Sequence, residues 1–217
     1  MTFDWSFALD ILPEMLYAFL RFSLVATFLG ILLAAVLGLA FAIVRRAHVP
    51  VLAPLVTAFI DFVRSTPLLV QLFFLFFVLP EAGITLPALT TGVIGLGVHY
   101  ACYLAEVYRA GIESVPKGQW EAATALSLPP RLQWQHVILP QAVRNVLPAL
   151  GNYAISMFKE TPFLALITVP EMVQRAQAIG SISFRYVEPF TLAGLIFLAA
   201  SYPTAIALRK LEMRLGH

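Results

Sequence analysis

The chain has 217 residues, of which 60% are hydrophobic and only 12% are charged, and its mean hydropathy is +0.85. Because soluble domains carry roughly 25% charged residues, this composition argues against a water-soluble globular enzyme, and its many Leu, Phe, Val and Ile residues exclude disorder. The formal net charge of +2, without a basic run, gives no reason to expect a nucleic-acid partner.

Apolar runs taken in chain order predict about five membrane-spanning helices, since one span needs about 20 apolar residues. The predicted spans lie near residues 16–44, 55–79, 88–110, 145–168 and 189–208. Pro67 can kink the second of them. Alternating periodicity is absent, so a membrane barrel is not expected, and helices satisfy their own backbone in lipid. The sequence therefore predicts an all-α, polytopic membrane protein with a single transmembrane domain over residues 1–217.

Basic residues set the predicted orientation, because cytoplasmic loops are enriched in Lys and Arg. They follow the first, third and fifth predicted spans: Arg45, Arg46, Arg109, Lys117, Arg131, Arg144, Arg209, Lys210 and Arg214. The opposite side holds only Arg175 and Arg185, and the N-terminus is acidic until Arg21. We therefore expect the N-terminus outside, the C-terminus in the cytoplasm, and the loop 113–140 on the cytoplasmic side.

Two spans carry charged residues, which are costly at membrane depth and usually have partners. Asp61 and Arg64 lie three residues apart on one helix face and can pair with each other or line a transport pathway. Lys159 and Glu160 are adjacent, so they point about 100° apart and need partners on other helices. Glu106 and Arg64 are the candidate partners, and contact with a polar solute is the alternative.

Polar residues also lie late in the third predicted span. Tyr100, Tyr103 and Glu106 share a helix face at three-residue spacing, and His99 lies beside it. Such a face lines a cavity or forms hydrogen bonds inside the helix bundle. The candidate pathway residues are therefore Arg64, His99, Tyr100, Glu106, Lys159 and Glu160. No metal site is predicted, because no second His or Cys lies at ligand spacing.

The loop 113–140 has the pattern of two short helices. Pro116 favours a helix start, helix-forming residues run from Gln119 to Leu126, and the Pro129–Pro130 pair interrupts the chain. We expect a second short helix to begin at Pro130 and to end before Pro140.

The first of these short helices has features of a contact surface. Ala122 and Ala123 leave a small-residue surface that another protein can approach closely, flanked by Trp120 and Glu121. An amphipathic helix that rests on the membrane surface is the alternative.

This loop resembles the EAA loop of ABC importer permeases. That pattern is Glu-Ala-Ala, three residues, Gly, nine residues, Ile, one residue and Leu-Pro, and every spacing fits. The matching positions are Glu121, Ala122, Ala123, Ser127, Val137, Leu139 and Pro140. Ser127 replaces Gly and Val137 replaces Ile; because Gly tolerates backbone angles that Ser does not, the turn after the first short helix is where the chain departs most from the pattern.

Other segments resemble the polar amino-acid subfamily of these permeases. They are Phe62–Leu69, Ala105–Ile112, Val115–Gln119, Leu139–Ala142 and Lys159–Pro162, and Pro162 stands where the family usually has Ser. The resemblance covers nearly the whole chain and implies the type I ABC importer permease fold, with a coupling helix that docks in a cleft of an ATPase. The residues implied in coupling are Trp120, Glu121, Ala122, Ala123, Ser127, Leu139 and Pro140.

The resemblance also implies partners and a location. The partners are a second permease subunit, identical or homologous, two ATPase subunits and an extracytoplasmic solute-binding protein, all at the bilayer of a bacterial inner membrane. The chain has no Gly-x-x-x-x-Gly-Lys-Ser/Thr motif, so it is not the ATPase. We expect no catalytic residue and no cofactor in this chain, with ATP and Mg²⁺ on the partner ATPase.

The implied function is import of a polar amino acid or a related zwitterion. The stretch Gly180–Gly194 and the last span resemble ectoine or hydroxyectoine importer subunits most. A stand-alone secondary transporter or channel is the alternative, but it should show inverted repeats, and none is visible. A membrane scaffold or sensor component would not need a loop with this spacing.

Overall fold

The computed structural model describes residues 3–215, and this part of the chain is helical, without a β-strand. The helices are α1 (Trp5–Ala18), α2 (Leu24–Arg46), α3 (Leu52–Arg64), α4 (Leu68–Phe73), α5 (Ala88–Glu113), α6 (Lys117–Ala125), α7 (Pro130–Leu132), α8 (Leu139–Glu160), α9 (Met172–Ser183) and α10 (Val187–Leu215). Three helices are long and apolar enough to cross a membrane, or four if the bent pair Leu52–Arg64 and Leu68–Ala82 is one span. The predicted all-helical fold is confirmed.

α1 and α2 form one continuous helical segment, Trp5–Arg46, of 42 residues, with a π-helical turn at Phe19–Ser23. It begins well before residue 16 because Asp4 caps it. The Asp4 Oδ1 atom accepts hydrogen bonds from the backbone N–H of Ser6 at 3.0 Å and of Phe7 at 3.2 Å.

α2 and α5 pack closely along a stripe of small residues. Every fourth residue of α2 is small and buried: Ala26, Gly30, Ala34, Gly38 and Ala42. A Cβ atom added to Gly38 would lie 2.9 Å from the Ala101 carbonyl oxygen and 2.9 Å from Leu104 Cβ, both in α5. Small residues at this spacing let helix backbones approach closely in membranes. The two helices therefore form one closely packed pair.

The chain turns sharply between α3 and the helical segment Leu68–Ala82, which begins with α4, and the axes of the two segments differ by 106°. Pro67 has an extended backbone and lacks the N–H that would continue the helix. The Gln71 side chain stabilises this elbow, because its Nε2 donates to the Val63 carbonyl at 2.7 Å and to Thr66 Oγ1 at 2.8 Å. The kink anticipated at Pro67 is thus a turn that divides the second predicted span into two helices.

α7, a π-helical turn at Gln133–Ile138 and α8 form an uninterrupted helical segment over residues 130–160. The Leu139 N–H donates to the Trp134 carbonyl, five residues back. This wider turn accommodates Pro140, whose ring would clash in an ordinary α-helical turn. The prediction that the second short helix ends before Pro140 is therefore wrong.

α8 is followed by a 3-10 segment, Thr161–Ile167. Pro162 lies in the first turn of this segment, where its missing N–H is not needed.

The two ends of the described chain pack together. α1, α9 and α10 share an apolar cluster that includes Met15 and Met172. At its edge, the Arg185 guanidinium donates to Asp4 Oδ2 at 3.1 Å and to Glu188 Oε1 at 3.0 Å. The Asp4 N–H also donates to Glu188 Oε1 at 3.1 Å. These polar contacts hold the start of α1 against the start of α10.

Glu171 is a fully buried carboxylate between the π-helical turn of the first segment and α9. Its Oε1 caps α9 by accepting a hydrogen bond from the Gln174 N–H at 2.7 Å, and its Oε2 accepts one from Ser23 Oγ at 3.5 Å. Glu171 takes part in none of the ion pairs within residues 3–215. Burial therefore raises the pKa of Glu171 to about 7.

Candidate functional site

α6 is the first helix of the loop that follows α5, and it ends in a Schellman turn. The Leu128 N–H donates to the Ala123 carbonyl at 3.1 Å, and the Ser127 N–H donates to the Thr124 carbonyl at 2.9 Å. Ser127 has φ 52°, a left-handed conformation that Gly adopts readily. The chain therefore makes a glycine-type turn at the position where Ser replaces the Gly of the EAA pattern.

The exposed face of α6 carries polar and small side chains. Glu121 and Ala122 are exposed, whereas Ala123 is buried and Trp120 is partly buried. Leu126, just after the helix, is the apolar exception, with 73% of its surface exposed. Trp120 is the large apolar side chain of α6, and it packs on the loop's own core. The helix therefore presents no apolar stripe to a membrane surface. The arrangement favours a protein partner over the amphipathic alternative.

Two tryptophans fix this loop to the end of α2. The Trp120 and Trp134 rings meet edge to face, with centroids 5.4 Å apart. The Arg46 Cζ atom lies 5.6 Å from the Trp120 centroid and 4.9 Å from the Trp134 centroid. Val115 and Ile138 are buried beneath them. The loop is therefore a packed unit with its own small core.

The predicted coupling residues lie on two parts of this unit. Trp120, Glu121, Ala122 and Ala123 are in α6 and Ser127 is in its terminal turn, while Leu139 and Pro140 are exposed at the start of α8.

Tyr100 and Tyr103 of α5 and Tyr153 of α8 form a tyrosine cluster beside Glu160. The Tyr100 Oη donates to Glu160 Oε2 at 2.8 Å. The Tyr100 and Tyr103 ring centroids lie 6.0 Å and 5.8 Å from that of Tyr153. The hydrogen-bond partner of Glu160 is thus a tyrosine, and the expectation that Arg64 would pair with it is wrong. A carboxylate among aromatic rings suits an ammonium group.

The α3–α4 elbow brings further polar groups to this cluster. His99 Nδ1 lies 3.0 Å from Gln71 Oε1, and because Gln71 Nε2 donates at the elbow, Nδ1 is assigned as the donor. The Arg64 Cζ atom lies 5.3 Å from the Tyr103 ring centroid. Arg64 therefore stacks on α5, and it forms no ion pair with Asp61 among residues 3–215.

Glu106 lies apart from the cluster, about 9 Å further along the α5 axis than Tyr100. It forms ion pairs with Arg45, at the end of α2, and with Arg109 at 2.9 Å. The expected pair of Glu106 with Lys159 is therefore wrong. Lys159 is exposed and takes part in no ion pair within the described part of the chain.

The sequence analysis did not predict the contacts of three residues: Gln71 at the elbow, Tyr153 in the tyrosine cluster and Arg45 in the ion pair with Glu106. Gln71 was detectable as the polar side chain within the apolar run that follows Pro67, whereas no sequence signal separates Tyr153 from an ordinary interface tyrosine. Among residues 3–215, no group of three His, Cys, Asp or Glu side chains is placed to hold a metal ion.

Comparison with known proteins places this geometry among transport proteins. Residues 26–217 match the family described as binding-protein-dependent transport system inner membrane component. A probable amino-acid ABC transporter permease protein of Sinorhizobium fredii is 44% identical over 212 residues, which are 98% of this chain and 91% of the relative. A probable amino-acid ABC transporter permease protein of Bacillus subtilis is 34% identical over 215 residues, 99% of this chain and 95% of the relative.

Solved structures agree with these sequence relatives. The crystal structure of an amino acid ABC transporter with histidines matches with a TM-score of 0.93 and 33% identity, covering 99% of this chain and 100% of that one. The MetNI methionine ABC transporter in an inward-facing conformation matches with a TM-score of 0.75 at 19% identity, covering 94% and 97%; this second likeness concerns the fold. The resemblance to ectoine importers finds no support in these comparisons.

Proposed function

Because the chain belongs to the family of binding-protein-dependent transport system inner membrane components and is the permease subunit of an amino-acid ABC importer, we propose that α6 docks on a separate ATPase and that the tyrosine cluster lines the amino-acid pathway. The permease is not an enzyme, and ATP hydrolysis belongs to the ATPase subunit. Two permease subunits, two ATPase subunits with ATP and Mg²⁺, and an extracytoplasmic binding protein complete the proposed importer.

The exposed face of α6 is the observation that carries the docking proposal. Glu121 and Ala122 are exposed on a helix whose end is fixed by a hydrogen-bonded turn. A small-residue surface beside a charge lets a partner backbone approach closely, and the Trp120 and Arg46 contacts hold the helix at the end of α2. Leu139 and Pro140 extend this surface onto the neighbouring helix.

The proposed orientation follows from the same end of the molecule. Arg45, Arg46 and Arg109 cluster near α6, and basic residues favour the cytoplasmic side. We place α6 and the C-terminus in the cytoplasm, the N-terminus outside, and about five spans in the bacterial inner membrane. The fourth span is the apolar part of residues 145–168, although α8 is not one of the three described helices that are long and apolar enough to cross a membrane alone.

The proposed substrate is an amino acid held by opposite charges. The Glu160 carboxylate and the surrounding tyrosine rings suit the substrate ammonium, and the Arg64 guanidinium suits its carboxylate. His99 and Tyr100 shape this region, Lys159 is an exposed cation at its edge, and Glu106 belongs to the ion-pair network nearer α6. The relatives are named for amino acids, which agrees with a zwitterionic ligand.

ATP can drive this permease only through contacts that differ between its two states. ATP binding closes the ATPase pair and moves the docked α6 helices, so the helix bundle changes from inward-facing to outward-facing. The binding protein then delivers the amino acid, and hydrolysis resets the bundle.

Charge reversal on α6 tests this proposal. Glu121→Lys should lower ATP-dependent uptake and recovery of the ATPase with the permease, while the permease itself still folds. Lys210→Glu, an exposed charge reversal on α10, serves as the matched control and should leave both unchanged. Full uptake by Glu121→Lys would contradict the docking proposal, and uptake that needs no ATPase would favour a stand-alone secondary transporter.

A further inference from the structure

We propose that Arg46 is the positioning residue that transmits movement of the α6 loop to the α2–α5 pair; this rests on the proposed function and deepens it. Arg46 is the last residue of α2. Its guanidinium Cζ lies 4.9 Å from the Trp134 ring centroid and 5.6 Å from that of Trp120. A guanidinium beside two aromatic rings is attracted by both, and its planar shape stacks where an ammonium does not.

The neighbouring arginine holds the same helix end to a different partner. Arg45 forms an ion pair with Glu106 of α5, and Glu106 also pairs with Arg109. Consecutive arginines therefore face different elements, with Arg45 fixed to α5 and Arg46 fixed to the loop. The last turn of α2 is the point at which the loop and the membrane helices meet.

Movement at this point reaches the tyrosine cluster because α2 and α5 are closely packed. Gly38 lies so near α5 that an added Cβ would come within 2.9 Å of the Ala101 carbonyl. Closely packed elements move as bodies and do not deform continuously. Since α5 carries His99 and Tyr100, a displacement of Arg46 shifts one wall of the proposed pathway.

The test separates the effect of the Arg46 charge from the effect of packing its aliphatic stem against the tryptophans. Arg46→Met retains an apolar stem against the tryptophans but removes the charge, whereas Arg46→Lys retains a charge. Arg209→Met removes an exposed charge from α10 and is the matched control. The three variants and the wild type are purified with their ATPase and binding protein and reconstituted in liposomes. Radiolabelled arginine, histidine, glutamine and cystine are supplied together, and uptake is divided by ATP hydrolysed.

We expect Arg46→Met to assemble with its ATPase and hydrolyse ATP, but to import about tenfold less amino acid per ATP. Arg46→Lys keeps the attraction of a cation to the rings but does not stack, so it should fall about threefold below the wild type, and Arg209→Met should equal the wild type. Trp134→Phe weakens the contact with one of the two rings, so its uptake per ATP should lie between those of the wild type and Arg46→Met. It tests the same contact independently if Arg46→Met does not assemble. If Arg46→Met imports as much amino acid per ATP as the wild type, the inference is overturned and the proposed function still stands. If Arg46→Met does not assemble, the same result in Trp134→Phe overturns the inference. Absence of ATP-dependent uptake by the wild type overturns both.

Discussion

Gly38→Ala is expected to destabilise the helix bundle, although Ala is the better helix former. The added Cβ atom would lie 2.9 Å from the Ala101 carbonyl oxygen, 2.9 Å from Leu104 Cβ and 3.2 Å from the Ala105 nitrogen. Two of these atoms belong to the α5 backbone, so relief requires the helices to separate. Gly194, within α10, has no atom within 4 Å of its added Cβ, which makes Gly194→Ala the matched control.

The difference between the two variants isolates the cost of the clash. Replacing Gly by Ala inside a helix gains about 1 kcal/mol in each case, so this gain cancels. Overpacking a tight contact costs about 1–3 kcal/mol, and the free energy of unfolding of Gly38→Ala should be lower by that amount. In a protein of this size, such a difference corresponds to roughly 2–12 °C in Tm.

Thermal unfolding in one detergent, at one heating rate, measures this difference. A fixed rate is needed because unfolding of such proteins is commonly irreversible. We expect Gly38→Ala to unfold several degrees below Gly194→Ala. Equal or reversed order would mean that the α2–α5 pair is not closely packed at Gly38, and the reasoning about the small-residue stripe would be refuted.

Three further predictions follow from individual contacts. Ser127→Gly should stabilise the turn after α6 by roughly 0.5–1 kcal/mol, because Gly relieves the left-handed backbone; slower amide exchange at Leu128 checks this, and faster exchange contradicts it. Glu160→Gln should raise the uptake KM about tenfold or more by removing a charged partner of the substrate, whereas Tyr100→Phe should have a smaller effect; unchanged KM in both would remove the cluster from the pathway. Burial raises the pKa of Glu171 to about 7 in the folded protein, above the ordinary value of 4.5, so the folded state binds the extra proton and stability should fall as pH rises from about 5 to 8. Glu171→Gln removes this contribution, so the Tm of the wild type minus that of Glu171→Gln should fall as pH rises from about 5 to 8, and a difference that does not change with pH would contradict the assignment.

The loop was the most predictable part of the molecule, because its information is local. The spacing from Glu121 to Pro140 is fixed along the chain, and Pro116 and the Pro129–Pro130 pair mark the limits of α6. The end of the second short helix was not predictable in the same way. A π-helical turn accommodates Pro140, and such turns have no sequence rule as firm as the exclusion of Pro from α-helices.

Partners across helices could be predicted only in part. The sequence left open whether the polar residues of the spans line a pathway or bond within the bundle; His99 and Tyr100 do form hydrogen bonds there, whereas Arg64 meets an aromatic ring that was not expected. The pairing of side chains on different helices depends on the rotation of each helix about its axis and on its axial offset. Neither quantity can be derived from a single sequence. Glu106 therefore paired with Arg45 and not with Lys159. The close packing of α2 on α5 was not predicted, although the small residues four apart from Ala26 to Ala42 are a sequence signal for it.

The contact between the ends of the chain has a consequence for biosynthesis. Asp4 and Glu188 are hydrogen-bonded although 184 positions separate them. At about 5–20 residues per second, the ribosome would need roughly 10–40 s to make the second partner after the first. During that interval Asp4 lacks the hydrogen-bond partners that Arg185 and Glu188 later provide. Addition of the last helix then completes these polar contacts, so α1 should be more accessible to proteases in a nascent chain halted before Arg185 than in the full chain.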